Sequence, residues 1–208
     1  LTDQSVMKPS PAPRRRRAAA RPDEILDAAL DAFLENGFEA TRMDDVAARA
    51  GLSKAGVYLY FESKEALLKA LIVRAVKPVA DQAEHLAAAG LNRPLDALTL
   101  IVGALTSRLE DPRVVAVPRL VLSIAPGFPD LVQFYREQVV DRARRAVEAL
   151  VQACIAEGTF RPVNAGAAAK LIIGPLVMGA LLRHVLQAEA EPLDPAAHLD
   201  LVLRGLSA

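Results

Sequence analysis

Residues 41–61 read Thr-Arg-Met-Asp-Asp-Val-Ala-Ala-Arg-Ala-Gly-Leu-Ser-Lys-Ala-Gly-Val-Tyr-Leu-Tyr-Phe, and this stretch decides the fold. Its pattern predicts two short helices joined by a tight turn. Thr41 is expected to cap the first helix, with Asp44 completing a capping box, and Ser53 to cap the second. Gly51 stands at the turn, where a positive φ is needed and glycine adopts it without steric cost. This is the layout of a helix-turn-helix, whose second helix lies in the major groove of DNA.

A glycine inside the second helix, Gly56, costs about 1 kcal/mol relative to alanine. Because the sequence shows no packing reason for it, we expect the helix to approach a base edge or a phosphate closely at this point. Polar donors beside such a helix bind phosphates and fix its register. The predicted major-groove contacts are Lys54, Ala55, Gly56 and Tyr58, and the predicted phosphate contacts are Thr41, Arg42, Ser53, Tyr60 and Lys64.

The chain has 208 residues, of which 52% are hydrophobic, and a formal net charge of zero. This length fits one medium domain or a small domain fused to a larger one, with a sizeable core. The total charge does not support nucleic-acid binding, but residues 8–21 are basic and contain no acid. We expect residues 1–20 to form a disordered basic arm. Two readings of the arm stay equally open: a solvated tail, or a segment that enters a minor groove and adds salt-sensitive affinity.

Membrane and disulfide classes are disfavoured by the sequence. The single cysteine, Cys154, excludes a disulfide framework within the chain and fits a reducing compartment. The most apolar stretch, residues 171–182, is interrupted by glycine and proline and is shorter than the roughly 20 residues that a bilayer requires. The basic N-terminal segment lacks the apolar run of a signal peptide. We therefore expect a cytoplasmic protein with no membrane partner.

Residues with catalytic or metal-binding potential are sparse. His85, His184 and His198 fall on different predicted helices and are not at ligand spacing. No phosphate-binding loop, nucleophile elbow or pair of catalytic carboxylates can be placed. We therefore predict no enzymatic activity, no cofactor and no metal.

Helical periodicity continues through the rest of the chain, with no strand pattern. Gly37 is expected to end the first helix in a turn that folds Phe38 back onto Phe33. Pro78 predicts a break or kink inside the fourth helix. Apart from the helix-turn-helix itself, the predicted helices span residues 22–36, 63–89, 94–110, 112–124, 128–157, 165–187 and 194–206.

A string of residues at correct spacing extends the helix-turn-helix in both directions. It consists of Ile25, Leu26, Asp27, Ala28, Ala29, Phe33, Asn36, Gly37, Phe38, Thr41, Asp45, Val46, Ala47, Ala50, Gly51, Leu52, Ser53, Gly56, Val57, Tyr58, Tyr60, Phe61, Lys64, Glu65, Leu67 and Leu68. In this string, residues 22–72 resemble the N-terminal domain of the tetracycline-repressor (TetR) family of bacterial regulators.

The resemblance implies an all-α fold of about nine helices. A three-helix helix-turn-helix DNA-binding domain would occupy residues 21–67, and a helical effector-binding and dimerisation domain residues 68–208. It implies a ligand-responsive transcriptional regulator, most simply a repressor, that binds a palindromic double-stranded operator as a homodimer and is released by a small effector. The alternative is a helical ligand-binding or structural protein with a vestigial helix-turn-helix.

Residues of the larger domain are assigned by the same resemblance. The expected effector is small and apolar, with lining residues Leu105, Leu109, Leu120, Ile124, Phe128, Phe134, Tyr135 and Met178, each of which would otherwise be plain core. Arg108, Arg119 and Gln133 are conceivable polar anchors, although surface roles fit them better. The expected dimer interface contains Leu171, Ile172, Gly174, Val177, Ala180, Leu181 and Val185, whose alternative is an ordinary buried helix within one subunit.

Overall fold

The computed structural model describes residues 14–187 and 194–207, with side chains from residue 21 onward. Its helical segments, in chain order, are α1 (Arg14–Asn36), α2 (Met43–Arg49), α3 (Lys54–Tyr58), α4 (Lys64–Leu71), α5 (Lys77–Ala89), α6 (Pro94–Leu109), α7 (Pro112–Ile124), α8 (Pro129–Tyr135), α9 (Asp141–Ala156), α10 (Ala165–His184) and α11 (Pro195–Leu206). A first π-helical turn (Ile72–Val76) joins α4 to α5, and a second (Arg136–Val140) joins α8 to α9. Counted through these turns, the described chain has nine helices and no strand, which confirms the predicted all-α class.

Helix α1 begins earlier than the sequence indicated. Its backbone is helical from Arg14, and Pro22 lies inside it rather than at its start. Arginine and alanine are among the strongest helix formers, so the run before Pro22 extends the helix. The helix thus includes residues 14–20, which were expected to belong to the disordered arm. Residues 1–13 of the predicted arm lie outside the described residues.

The ends of the helix-turn-helix follow the predicted turn chemistry, with one exception. Gly37 and Gly51 have φ values of +81° and +64°, and Ser53 Oγ accepts a hydrogen bond from the N–H of Gly56 at 3.1 Å. The exception is the start of α2. Its N-cap is Arg42, whose N–H donates to Asp45 Oδ2 at 2.8 Å.

The predicted capping box is therefore shifted by one residue. Thr41 does not cap α2, and Asp45 takes the position expected for Asp44. Thr41 is instead buried in the interior of the helix-turn-helix unit.

The fourth helix does not break at Pro78. Proline occupies the first turn of α5, and the irregularity lies just before it, in the first π-helical turn. Proline has no N–H and its ring clashes with the carbonyl four residues earlier, so the preceding turn widens. At the position of the predicted kink, the helix is continuous and contains one π-helical turn.

Two apolar cores hold the molecule together. The first core surrounds Phe33 and Phe38 of the helix-turn-helix unit and includes the inner faces of α4 and α7. The ring centroids of Phe33 and Phe38 are 5.0 Å apart, as the predicted turn requires, and Phe128 meets Phe38 edge-on at 5.0 Å. The predicted domain boundary after residue 67 falls inside α4, and the first core continues across it into α7 and α8.

The second core lies between α5, α6, α9, α10 and α11. Leu98, Leu150 and Ile172 are fully buried there. His198 is buried as well, and its Nε2 lies 3.0 Å from the carbonyl oxygen of Ile172, which ties α11 to α10. This hydrogen bond gives His198 a structural role.

Helix α10 is 20 residues long and, by length and composition alone, apolar enough to cross a membrane. It nevertheless packs against the second core through buried residues that include Ile172 and Ala180. Only 28% of its most apolar window is buried within the subunit. The helix therefore presents a largely uncovered apolar face.

The turn between α5 and α6 leaves no room for a side chain at Gly90. A Cβ atom there would lie 2.2 Å from the Cβ of Ala97 and 2.9 Å from the carbonyl oxygen of Leu86. We predict that Gly90→Ala lowers the free energy of unfolding by roughly 1–3 kcal/mol, because both neighbours belong to packed helices. The matched control is Gly103→Ala in α6, where the added Cβ meets nothing within 4 Å and stability should rise by up to about 1 kcal/mol. Chemical denaturation measures both; equal effects would contradict this packing.

Candidate nucleic-acid interface and ligand cavity

Helix α3 has one buried face and one free face. Val57 is fully buried in the first core, whereas Lys54 and Ala55 are exposed. Tyr58 is 45% exposed, and Tyr60, which follows the helix in a turn, is 42% exposed. The free face therefore carries an ammonium group and two aromatic side chains ending in hydroxyls, which suits contact with base edges and phosphates.

Gly56 has a local packing reason that the sequence did not reveal. A Cβ atom there would lie 3.3 Å from Ser53 Oγ and 3.7 Å from the Cβ of Leu52. Ser53 Oγ already accepts the N–H of Gly56, so a side chain at this position would press on the cap of α3. Close approach to DNA at Gly56 stays a prediction.

Lys54 is held by a carboxylate from the preceding helix. Its Nζ lies 2.9 Å from Asp44 Oδ2, and both side chains are exposed. The hydrogen bond to Asp44 raises the pKa of Lys54, so the ammonium stays charged. An exposed pair of this kind contributes little stability. Lys54 can therefore exchange Asp44 for a nucleic-acid acceptor at small cost.

Two predicted phosphate contacts are occupied by the protein itself. The hydroxyl of Thr41 is buried and donates to the carbonyl oxygens of Ala32 at 3.1 Å and Gly37 at 2.7 Å. The ammonium of Lys64 donates to the carbonyl oxygens of Phe38 and Glu39 at 2.9 and 2.8 Å.

Thr41 supplies a donor near the end of α1, where helix carbonyls need partners, and Lys64 supplies donors to the carbonyls of the turn that follows α1. The structure thus corrects the assignment of their side chains to phosphate. The predicted contacts that lie on the outer surface are Arg42, Ser53, Lys54, Ala55, Gly56, Tyr58 and Tyr60.

A cavity of about 590 Å³ opens among α5, α6, α7, the second π-helical turn, α9 and α10. Its volume lies in the range of small-molecule sites. The walls are mostly aliphatic, and Val76 and Val139 bring both π-helical turns to the lining. Such turns often accompany functional sites. The arrangement can enclose a largely apolar molecule.

Half of the predicted ligand residues line this cavity. Those that do are Leu105, Leu109, Tyr135 and Met178. The others, Leu120, Ile124, Phe128 and Phe134, pack in or against the first core, so their assignment is wrong.

The error has a physical cause. Phe128 is held against Phe38, and Phe134 lies under the ammonium of Lys69, 5.6 Å from its ring centroid. Helical spacing identifies a side chain as buried, but it does not say which of two cores receives it.

Two stripes of the lining were not predicted as such, although helical spacing could have revealed them; only Met178 of the first was among the predicted ligand residues. One stripe on α10 consists of Lys170, Ile173, Gly174, Val177, Met178 and Leu181. The other follows the second π-helical turn into α9 and consists of Arg136, Val139, Val140, Asp141, Ala143 and Arg144. Each stripe starts or ends with a basic residue.

The polar part of the lining is predominantly basic. It contains Arg108, Arg136, Arg144 and Lys170 with one carboxylate, Asp141. Of the three conceivable anchors, Arg108 lines the cavity, whereas Arg119 and Gln133 do not. Tyr135 also lines it, and burial raises the pKa of Tyr135 to about 12. Its phenol therefore stays neutral and able to donate a hydrogen bond.

The predicted interface residues of α10 divide into three groups. Ile172 and Ala180 are fully buried inside the subunit, so their assignment to the subunit surface is wrong. Val177 and Leu181 line the cavity, and Val185 packs against the second core. The exposed members are Leu171 and Gly174, joined by Met178; Gly174 and Met178 also line the cavity.

Comparisons with known proteins agree with this architecture. The family model for bacterial regulatory proteins of the tetR family matches residues 25–71. The model for the C-terminal domain of the AefR-like transcriptional repressor matches residues 96–206, slightly more than half of the chain.

Curated relatives match over less than half of the chain. The HTH-type transcriptional regulator RutR of Escherichia coli (strain K12) is 46% identical over 59 residues, which is 28% of this chain and 28% of that protein. The uncharacterized HTH-type transcriptional regulator YfiR of Bacillus subtilis (strain 168) is 37% identical over 95 residues, 43% of this chain and 46% of that protein. The chain thus spans less than half the length of these relatives.

Solved structures match over nearly the whole chain. The TetR family transcriptional regulator PfmR from Thermus thermophilus superposes with a TM-score of 0.70 at 26% identity, covering 88% of this chain and 99% of that one. The SmeT–triclosan complex has a TM-score of 0.76 at 19% identity, covering 91% and 92%. The second similarity is one of fold alone.

The buried hydroxyl of Thr41 gives a prediction that separates stability from DNA contact. Thr41→Val should lower the free energy of unfolding by about 1–2 kcal/mol, because the carbonyls of Ala32 and Gly37 lose a donor. DNA affinity of the folded protein should not change. The matched control is Thr99→Val, whose exposed hydroxyl also donates to a helix carbonyl and whose loss should cost less than about 0.5 kcal/mol. Denaturation and DNA titration measure the two effects; weaker DNA binding at unchanged stability would contradict the assignment.

Proposed function

The chain belongs to the TetR family of bacterial regulatory proteins, and on that premise we propose that it is a ligand-responsive repressor that binds a palindromic operator as a dimer and is released by a small molecule. The observation that carries the proposal is the combination of a free reading helix with an apolar cavity, linked by one continuous core. Since the protein acts on chromosomal DNA in this proposal, its location is the cytoplasm.

In the proposed complex, α3 lies in the major groove. Lys54, Gly56 and Tyr58 face base edges, while Arg42 and Tyr60 hold the adjacent phosphates. The hydroxyl of Ser53 is still able to donate, because its oxygen acts as the acceptor in the cap of α3. One such helix reads half a site. A two-fold dimer supplies the second helix at the roughly 34–36 Å spacing of half-sites on one face of DNA.

The uncovered face of α10 supports the dimer. Leu171 is 63% exposed and Met178 57% exposed on this helix, and Leu201 is 72% exposed on α11. Exposed apolar side chains of this size, two of them on one helix, are typical of an interaction site. A second copy that presents the same face through a two-fold axis would cover them, and Gly174 between them permits close approach of helices.

Helix α7 provides the proposed connection between cavity and reading helix. Val114 and Pro118 face the cavity, whereas Val117 and Val121 on other sides of the same helix lie in the first core with the helix-turn-helix unit. Because a packed helix moves as a body, a ligand that displaces one wall of the cavity shifts the other surface as well.

Ion pairs tie the same elements together at the surface. Asp27 of α1 accepts from Arg74 in the first π-helical turn at 2.8 Å and from Arg113 of α7 at 2.9 Å. The π-helical turn itself contributes Val76 to the cavity. A ligand that binds one arrangement of these elements better than another changes operator affinity by the difference between its two binding free energies.

The proposed division of labour on DNA predicts different outcomes for two substitutions. Tyr60→Phe should weaken binding to all DNA sequences to a similar extent, because it removes a phosphate contact. Lys54→Ala should cost about 1–3 kcal/mol on the operator and also relax sequence preference. Asp44→Asn serves as the matched variant, since it frees Lys54 and should strengthen binding.

Gel-shift titrations on the operator and on scrambled duplexes measure these effects. An equal loss on every sequence for Lys54→Ala would assign Lys54 to phosphate instead. If no variant changed binding to the DNA upstream of its own coding region, or the unaltered protein did not bind that DNA, the proposal would fail in favour of a ligand-binding protein with a vestigial helix-turn-helix.

The proposed dimer predicts that Leu171→Glu with Leu201→Glu gives a monomer in sedimentation velocity. The buried carboxylates would have no partner in the interface. Operator affinity should fall at least about tenfold, because half-sites would be read singly. Leu100→Glu is the control, since Leu100 is equally exposed but lies on α6, outside this face. A double variant that remained dimeric would exclude this interface.

A further inference from the structure

The opening of the cavity has an unusual charge for an apolar site. Arg108, Arg136, Arg144 and Lys170 lie on its lining together with a single acid, Asp141. The remaining walls are aliphatic apart from Tyr135. Cationic side chains thus border a space of low polarity, where charge–charge interactions are stronger than in bulk water.

Two of these four cations are paired with acids. Arg136 lies 3.7 Å from Asp141, and Arg144 is paired with Glu148. Within residues 21–187 and 194–207, Arg108 and Lys170 form no ion pair. The opening therefore keeps a positive charge that attracts an anion and disfavours a cation.

A neutral donor adds to this preference. The phenol of Tyr135 lines the cavity and is partly buried. Because it stays protonated at physiological pH, it can donate to an oxygen atom but cannot repel a negative one. An acceptor group on a ligand would receive this hydrogen bond.

We propose that the effector is an amphiphilic anion, with an apolar body enclosed by the cavity and a carboxylate or phosphate group held by Arg108 or Lys170, the two lining cations that form no ion pair among the described residues. This inference rests on the proposed function, since it assigns a chemical class to the effector of that same cavity. It refines the expectation of a purely apolar effector, because aliphatic walls alone would not require cations at the opening.

Four probes of one chain length test the charge preference: dodecanoate, dodecyl phosphate, dodecan-1-ol and dodecylamine. Isothermal titration calorimetry is done on the full-length protein, with each probe below its micelle concentration and circular dichroism as a check on folding. At least one anion should bind about tenfold or more tightly than the alcohol, and the ammonium probe should bind weakest. A preference between the two anions identifies the head group. The affinity of the protein for the preferred anion should fall as salt is added.

Substitutions locate the head group. Arg108→Gln combined with Lys170→Gln should weaken binding of the preferred anion about tenfold and leave binding of dodecan-1-ol unchanged. Arg119→Gln is the charge-matched control, because Arg119 is exposed on α7 and lies outside the cavity lining. The control should bind the anion as the unaltered protein does.

Three results would overturn the inference: equal affinity for alcohol and anion, undiminished anion binding in the double variant, or no binding of any probe. Operator titrations of the same preparations show whether such a result contradicts only the anionic class of the effector or the proposed function as well. Operator binding that dodecan-1-ol releases as well as dodecanoate would overturn the anionic class and leave the repressor proposal standing. Absence of operator binding would overturn the repressor proposal, whatever the probes do.

Discussion

The ring of Phe38 is the contact on which the rest of the structure depends. It packs between Phe33 of its own unit and Phe128 of the larger one, with both ring centroids at 5.0 Å. Aromatic pairs of this geometry add about 0.5–1.5 kcal/mol each beyond the burial of their surface. The helix-turn-helix unit therefore shares its core with α7 and α8, and the orientation of α3 is set partly by helices outside that unit.

This shared core connects the walls of the cavity to the reading helix through packed side chains. Helix α7 contributes to the cavity lining and to the first core, and the first π-helical turn connects the cavity with α4. Proteins of this size transmit small displacements because their cores are close-packed and do not compress. In the proposed mechanism, the ligand selects one of two packings of α7 against α1 and α4, and the spacing of two reading helices in the dimer changes accordingly.

Local sequence signals predicted the features that depend on neighbouring residues. Gly37, Gly51 and Ser53 identify the helix-turn-helix because each ends or caps a helix that lies within a few positions of it in the chain. The helices of the larger unit followed from apolar spacing for the same reason. The end of α1 at Asn36 followed from Gly37.

Features that depend on distant residues were not predictable in this way. The inward hydroxyl of Thr41 finds one acceptor, the carbonyl of Ala32, on α1, and the ammonium of Lys64 finds its carbonyls 25 and 26 positions earlier in the chain. Phe128 was predicted to line the effector site, with plain core as the alternative, because nothing in the residues around it records the position of Phe38. The basic ends of the α10 and α9 stripes were visible in the sequence, but their convergence on one opening required the fold.

The most direct test of the central claim is the distance between the two reading helices of a dimer. A spin label on Leu59→Cys, an exposed position beside α3, reports this distance by pulsed electron resonance, with Cys154→Ala removing the natural thiol. The proposed mechanism predicts one narrow distribution on operator DNA, a shifted one when dodecanoate fills the cavity, and loss of that shift in Phe128→Ala at unchanged dodecanoate affinity. A distance that stayed constant while dodecanoate bound and the operator dissociated would contradict it.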